Sequence, residues 1–416
     1  MSTTASTGLP SGELWPDVGA LMPADALESI AAGAAAADES GRPDPASLDL
    51  LRRIGWPALA IPTDFQGKGA SLLESCAAQR LLGRADPALA VAVNMHIFTI
   101  GLTVEHWRRN TDVSWLLIEA IATQNRLVAS AFAEPNLGGS ATRSTLTAER
   151  VPGGWEVTGR KYPCSLAAEA DLVCLQVAAP GQDGAAPQVL VAMLPTNAPG
   201  LSVVENWDAM GMRGSASNTL VLDRCVIPDE LVFYQAPAGA EDDDVLAAGV
   251  IWFSLTATAV YLGLAESALS AGRDLLGTQR IAHLGSTRAR LPSYQAALGD
   301  PYAALLTLEA GCAAVAAGMD AGADPQRLLP AALAVKQQAV RTVPDLVSAI
   351  AEACGGASYA RGGVLARLWR DAQAVRFHPP TPVATRQFLG RRALGVPASL
   401  DLDECAPSLA PKHHTR

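Results

Sequence analysis

Three blocks follow one another along the chain, the middle one differing in hydrophobic period from the two that flank it. From Pro23 to Asn125, apolar residues recur at three- and four-residue spacing in Ala-rich segments, broken at Gly55-Trp56-Pro57 and at Phe65-Gln66-Gly67-Lys68-Gly69. That period gives each segment one apolar stripe and predicts four to six helices. From Arg126 to Tyr234 the pattern changes to short β-branched runs, VCLQVAA (173–179), VLVAML (189–194) and TLVLDRCVI (219–227), separated by Gly, Pro, Asn and Asp. These runs predict the strands of a β domain. After Glu241-Asp242-Asp243-Asp244, long Ala/Leu-rich segments return as far as Leu394, with Pro292, Pro330 and Pro344 as expected helix boundaries or first-turn residues. The expected organisation is a helical domain over 23–125, a β domain over 126–234 and a helical bundle over 241–394, with 1–22 and 395–416 as loose termini.

Val245 to Ala265 is free of charge and long enough to cross a bilayer. Ser254, Thr256, Thr258 and Tyr261 within it, the acidic residues before it and the lack of a flanking basic cluster read instead as a buried helix. Composition narrows the class further. With 416 residues, 49% hydrophobic and 17% charged, the chain is neither a disordered solvating segment nor a coiled-coil rod. A formal charge of -10 leaves no electrostatic footprint for nucleic acid or an anionic membrane. Seven scattered cysteines without a Cys-x-x-Cys pair argue against a disulfide framework and a zinc site, and suit a cytoplasmic location. No Gly-x-Gly-x-x-Gly follows a strand and no Gly-x-Ser-x-Gly is present, which disfavours a built-in nicotinamide domain and a serine hydrolase.

Four stretches carry candidate chemistry: AFAEPNLGGS (131–140), GGWEVTGRKYPCSLAAEADLV (153–173), WDAMGMRGSASNTLVLDRCVIP (207–228) and ACGGASYARGGVLARLWRDAQ (353–373). Gly138-Gly139-Ser140 is either an ordinary turn or a bare backbone that a planar ligand or phosphate can approach. Ser165 is a loop hydroxyl bonded to its own backbone or a donor to a ligand, and Gly355-Gly356 is a helix C-cap or a set of offered N–H groups. Arg213 is a turn arginine or a ligand contact.

Together the four stretches resemble the acyl-CoA dehydrogenase superfamily of flavoproteins. The resemblance covers nearly the whole chain and implies an α+β fold: an N-terminal α-helical domain, a central β-barrel-like domain and a C-terminal four-helix bundle. It places Phe132, Ala133, Gly139, Ser140, Cys164, Ser165, Arg213, Gly355 and Gly356 at the flavin, the glycine pair offered across a subunit boundary of a homotetramer. Where the family usually reads Thr-Glu-Pro, this chain has Ala133-Glu134-Pro135, so one hydroxyl toward the flavin is missing. Cys164 has no neighbouring base or cation in sequence to activate it and reads as packing.

A dehydrogenase of this family needs a carboxylate over the thioester. The two places that supply it correspond here to Pro379, in Phe377-His378-Pro379-Pro380-Thr381, and to Phe253. This pattern is similar to the two-component flavin monooxygenase branch, which includes dibenzothiophene monooxygenase and the amino-sugar nitrososynthases. That likeness implies FAD, or FMN, supplied reduced by a partner flavin reductase or electron-transfer protein, a flavin C4a-hydroperoxide, and a small organic substrate oxidised at nitrogen, carbon or sulfur in secondary metabolism. His96, His378 and Ser165 are the expected catalytic residues. The alternatives are an acyl-CoA or acyl-carrier-protein dehydrogenase with its base displaced to Glu266 or Asp244, and a catalytically silent scaffold.

Overall fold

In a computed structural model, residues 14–140, 142–181 and 186–402 are described. Five helices lie whole among the described residues before the β domain: α1 (Ala24–Ser40), α2 (Pro45–Arg53), α3 (Leu72–Ala85), α4 (Pro87–Asn110) and α5 (Ser114–Thr123). Their starts are set by side chains that take up orphan backbone donors. The Asp44 carboxylate accepts from Ser47 N–H, Ser71 and Glu74 form a reciprocal capping box, and Asp86 accepts from Ala88 and Leu89 N–H, with proline in the first turn of α2 and α4.

Eight strands follow: β1 (Val128–Ala131), β2 (Glu149–Val151), β3 (Gly154–Cys164), β4 (Leu172–Ala179), β5 (Gln188–Pro195), β6 (Leu201–Val204), β7 (Asn218–Pro228) and β8 (Val232–Pro237). They form two four-stranded sheets, ordered β1-β4-β5-β8 and β2-β3-β7-β6, antiparallel except for the parallel β1–β4 pair. The three β-branched runs lie in β4, β5 and β7. β4 and β5 are buried along almost their whole length, and so read as continuous apolar runs.

The C-terminal part holds α6 (Asp244–Thr278), α7 (Pro292–Asp320), α8 (Pro325–Cys354), α9 (Val364–Ala372) and α10 (Pro382–Ala393). α6 is the axis of the molecule, packed on α3, α4 and α8. At its crossing with α3 the backbones meet directly: a Cβ on Gly263 would lie 2.0 Å from Arg80 O, and one on Gly83 2.3 Å from Val260 O. Only glycine permits that approach. Among the described residues three helices, α4, α6 and α7, are long and apolar enough to cross a membrane by length and composition. In α6, which contains the charge-free run, 94% of the apolar window is buried inside the fold.

The structure corrects two expectations. Pro330 and Pro344 do not bound a helix but lie inside α8. The packing of this 30-residue helix between α6, α7, α9 and α10 outweighs the missing N–H donors. Nor are the described parts of the termini loose. Trp15, Val18 and Met22 are buried and the Trp15 indole donates to Glu309 at 2.8 Å. At the other end Asp401 accepts from Ser140 and Thr142 hydroxyls and from Arg143, which draws the segment before it onto the 136–143 loop. Residues 1–13 and 403–416 lie outside the described residues.

Candidate active site

A cavity of about 480 Å³ opens where α4, α6, the β domain and the loop after α9 meet. α4 contributes Val91, Met95, Phe98 and Leu102, a stripe at spacings of four, three and four. Facing it, α6 contributes Leu246, Gly249, Val250 and Phe253. Phe98 stands edge-on to Phe253 and to Phe132, with ring centroids 5.2 and 5.9 Å away. This side of the cavity is apolar because the two helices turn their hydrophobic faces to each other without closing.

The β domain gives the opposite wall its polarity. Ser165 Oγ lies 2.7 Å from Ser217 Oγ, which lies 2.8 Å from Ser215 Oγ, and all three serines line the cavity. Two bonds among three hydroxyls leave one hydroxyl hydrogen unused within the row. Tyr162 and Trp207 stand beside it with ring centroids 6.4 Å apart. Gly139, at φ 83°, brings the 136–140 loop against the 379–381 loop, where a Cβ would meet Thr381 Cγ2 at 2.8 Å.

One histidine faces the cavity. His378 Nε2 is 2.6 Å from the Tyr261 hydroxyl, and the His378 and Pro380 carbonyls each accept from Lys336 Nζ at 2.8 Å. Burial, and then the Lys336 ammonium, push the His378 pKa down to about 3, so its ring is neutral near pH 7. Burial, and then Asp371, raise the Tyr261 hydroxyl well above its ordinary range, so it keeps its proton. A protonated phenol donating to Nε2 leaves the ring hydrogen on Nδ1. Burial pushes Lys336 itself down to about 7.

The charged groups on the lining are already paired. Glu134 accepts from Lys161 Nζ, from the Ser144 and Thr145 hydroxyls and from Thr145 N–H at 2.6 Å. Burial works to raise its pKa, but Lys161 and the two hydroxyls outweigh it and hold the carboxyl below its usual range. Arg370 is spanned by both oxygens of Asp38, at 3.1 and 2.5 Å, and donates to Met210 O.

Of the residues expected at the site, Phe132, Ala133, Gly139, Ser140, Ser165 and His378 line this cavity. Five others do not. His96 is fully buried: its Nε2 donates to Pro57 O at 2.9 Å, and its Nδ1 accepts from Val128 N–H at 3.0 Å. Burial lowers its pKa to about 4, and it ties the 56–58 turn to β1 as a core histidine. Cys164 is buried with Sγ 3.4 Å from Ser130 O, and burial lifts its thiol to about 12. Arg213 turns to the end of α1, donating to Asp38 O at 2.7 Å and to Ala209 O at 3.3 Å. Gly355, at φ 70°, caps α8 with its N–H on Ala351 O, and Gly356 beside it is exposed. Phe253 and Pro379 line the cavity, whereas Glu266, bonded to Arg80 at 2.5 Å, and Asp244, in the first turn of α6, do not.

Sequence reasoning missed Tyr261, Lys336, Ser215 and Ser217. Ser215 and Ser217 stand inside a stretch already singled out, and Lys336 is one of four lysines in the chain, set on the apolar face of α8 between Leu333 and Val340. Tyr261 is one of four polar residues in the charge-free run, and nothing in that run marks it from the others.

Three family models match in order: the acyl-CoA dehydrogenase N-terminal domain over residues 25–111, the middle domain over 129–225 and the C-terminal domain over 255–381. The chain belongs to the acyl-CoA dehydrogenase family, and the expected α+β fold is borne out. Within that family it is similar to isobutylamine N-hydroxylase of Streptomyces viridifaciens, 29% identical over 85% of this chain and 90% of that protein. It is 28% identical to L-evernosamine nitrososynthase of a Micromonospora species, over 90% of this chain and 89% of that one. Among solved structures, KijD3 in complex with FMN and dTDP-3-amino-2,3,6-trideoxy-4-keto-3-methyl-D-glucose superposes with a TM-score of 0.80 at 26% identity, covering 90% of this chain and 92% of that one.

Proposed function

We propose that this chain is the oxygenating component of a two-component flavin monooxygenase, acting on a small organic substrate with reduced flavin delivered by a partner reductase. The observation that carries this reading is the state of the acid groups at the cavity. Phe253 and Pro379, the positions that by the family resemblance correspond to a dehydrogenase's base, both line the cavity, and Glu134, the one carboxylate among the described residues on the lining, has both oxygens taken. Proton abstraction next to a thioester has no free base here. The similarity to an N-hydroxylase and to nitrososynthases points the same way, toward oxidation at nitrogen.

The cavity fits a flavin: its volume suits a ring cofactor, its faces are apolar, and the row of serines offers a spare hydroxyl hydrogen to a polar ring edge. Ser165, Ser215, Ser217, Tyr162, Trp207 and the Gly139-Ser140 loop would hold it. FMN is bound in KijD3, and either FMN or FAD is compatible with these residues. When bound and reduced, the flavin supplies the activation of dioxygen. The chain does the rest. Phe98, Phe132 and Phe253 exclude water, and His378, its Nε2 taken by the Tyr261 hydroxyl, keeps its hydrogen on Nδ1 as a neutral hydrogen-bond donor. The turn at Gly355-Gly356, of which Gly356 is exposed, belongs in this reading to a homotetramer contact.

Paired flavin half-reactions on one sample test this. Reduced protein mixed with oxygen should consume it and oxidise a small substrate, while NAD(P)H alone should not bleach the bound oxidised flavin. Anaerobic bleaching by a saturated acyl thioester would move the assignment to a dehydrogenase. Failure to bind either flavin would move it to a silent scaffold.

A further inference from the structure

The chamber between α4 and α6 has a composition that constrains what enters it. Its walls are Val91, Met95, Phe98 and Leu102 on one side and Gly249, Val250 and Phe253 on the other, with His378 and the largely exposed Phe377 also on the lining. The charged residues on the lining, Glu134 and Arg370, are each taken by a partner, and they sit outside this stretch of wall, on the β1 side and on α9. Tyr162 belongs to the β wall, which leaves His378 as the titratable group in the chamber, and its ring is neutral. A protonated amine would find no carboxylate there, and a diphosphate no unpaired guanidinium or ammonium. Burying either charge without a counter-charge is strongly unfavourable, whereas an apolar body gains by leaving water.

The shape agrees. Phe98, Phe132 and Phe253 form a rigid edge-to-face set. Gly249, where a Cβ would meet Leu102 Cδ1 at 2.8 Å, leaves the helix backbone bare against the chamber. We propose that this site takes a compact, apolar substrate bound without net charge, an amine entering as its free base, and that it rejects nucleotide-linked and coenzyme-A-linked substrates. This rests on the monooxygenase reading for its chemistry but not for its test.

The test is a calorimetric ligand panel on the purified chain, with and without oxidised FMN, and with no reductase or oxygen chemistry involved. Indole, a neutral aromatic probe, should bind at least tenfold more tightly than dTDP or isobutyryl-CoA. The apparent Kd of isobutylamine should fall about tenfold per pH unit from pH 7 toward the aliphatic ammonium pKa of about 10. Val250→Asp, which sets a carboxylate in the wall, should flatten that pH dependence by admitting the ammonium form. If this variant does not fold, the wild-type pH series and the probe ranking decide alone. Tighter binding of dTDP or the thioester than of indole, or wild-type isobutylamine binding that is level or weakens from pH 7 to pH 10, overturns the proposal. Failure of FMN to bind would count against the monooxygenase reading, and the pH series of isobutylamine, whose sign does not depend on which part of the cavity is filled, would then decide the charge selectivity.

Discussion

Lys336→Met is the substitution whose outcome the structure constrains most closely. The ammonium is buried in α8, between the carbonyls of His378 and Pro380 at 2.8 Å each, and burial brings its pKa to about 7. In the unfolded chain a lysine titrates near 10.4. Between these values the unfolded state holds the proton and the native state has lost it, so native stability rises with pH across the window. One pKa unit is about 1.4 kcal/mol, which sets a ceiling of about 5 kcal/mol for this one group. The two carbonyl bonds, each worth about 1.5–3 kcal/mol from a charged donor, work against burial and hold the real gain under that ceiling. Methionine carries no such proton. Denaturation midpoints of both proteins at unit steps from pH 6 to pH 10 should therefore diverge, the wild type gaining on the variant only above pH 7. Tyrosines and cysteines that titrate in the same range cancel in the difference. Stability curves that run parallel through the window would refute the reasoning, because the lysine would then share one pKa in both states.

The buried Lys161–Glu134 pair should behave unlike the exposed Arg42–Glu205 pair. Lys161→Met is expected to cost about 3–5 kcal/mol by leaving Glu134 without its counter-charge, and Arg42→Ala about 0–1 kcal/mol, both read from chemical denaturation. His378→Ala should lower product formation by about 10²- to 10³-fold, the cost of one positioned hydrogen-bond donor, while oxygen is still consumed, with Tyr261→Phe intermediate. His96→Ala should instead lower stability by about 1–3 kcal/mol for each of the two backbone groups it orphans, and leave the ratio of product to oxygen unchanged in the protein that remains folded. Asp401→Ala removes the acceptor shared by Ser140, Thr142 and Arg143. FMN titration of that variant should show weaker binding with an unchanged fold by circular dichroism.

The period of apolar residues along the chain was enough for the order of helical and β domains, and the family resemblance for the two positions expected to lack a base. β4 and β5 are legible because strands buried on both faces must be apolar throughout, and the Phe253 and Pro379 positions carry no carboxylate whatever the packing around them. Which histidine faces the cavity was not legible. α4 is apolar around most of its circumference, so its period does not say which side meets the chamber. Met95 lines the cavity, and His96, about 100° further round the helix, points to Pro57 instead. The same limit hid Tyr261, whose hydroxyl meets His378 across 117 positions, and Lys336, whose partners are carbonyls 42 and 44 positions away. It also hid the Asp401 anchor, which joins the C-terminal segment to a loop some 260 positions earlier. The period of an apolar run can be read from each residue and its neighbours in sequence. Hydrogen-bond partners depend on how α4, α6 and α8 rotate and cross, and that is decided only when their side chains pack together.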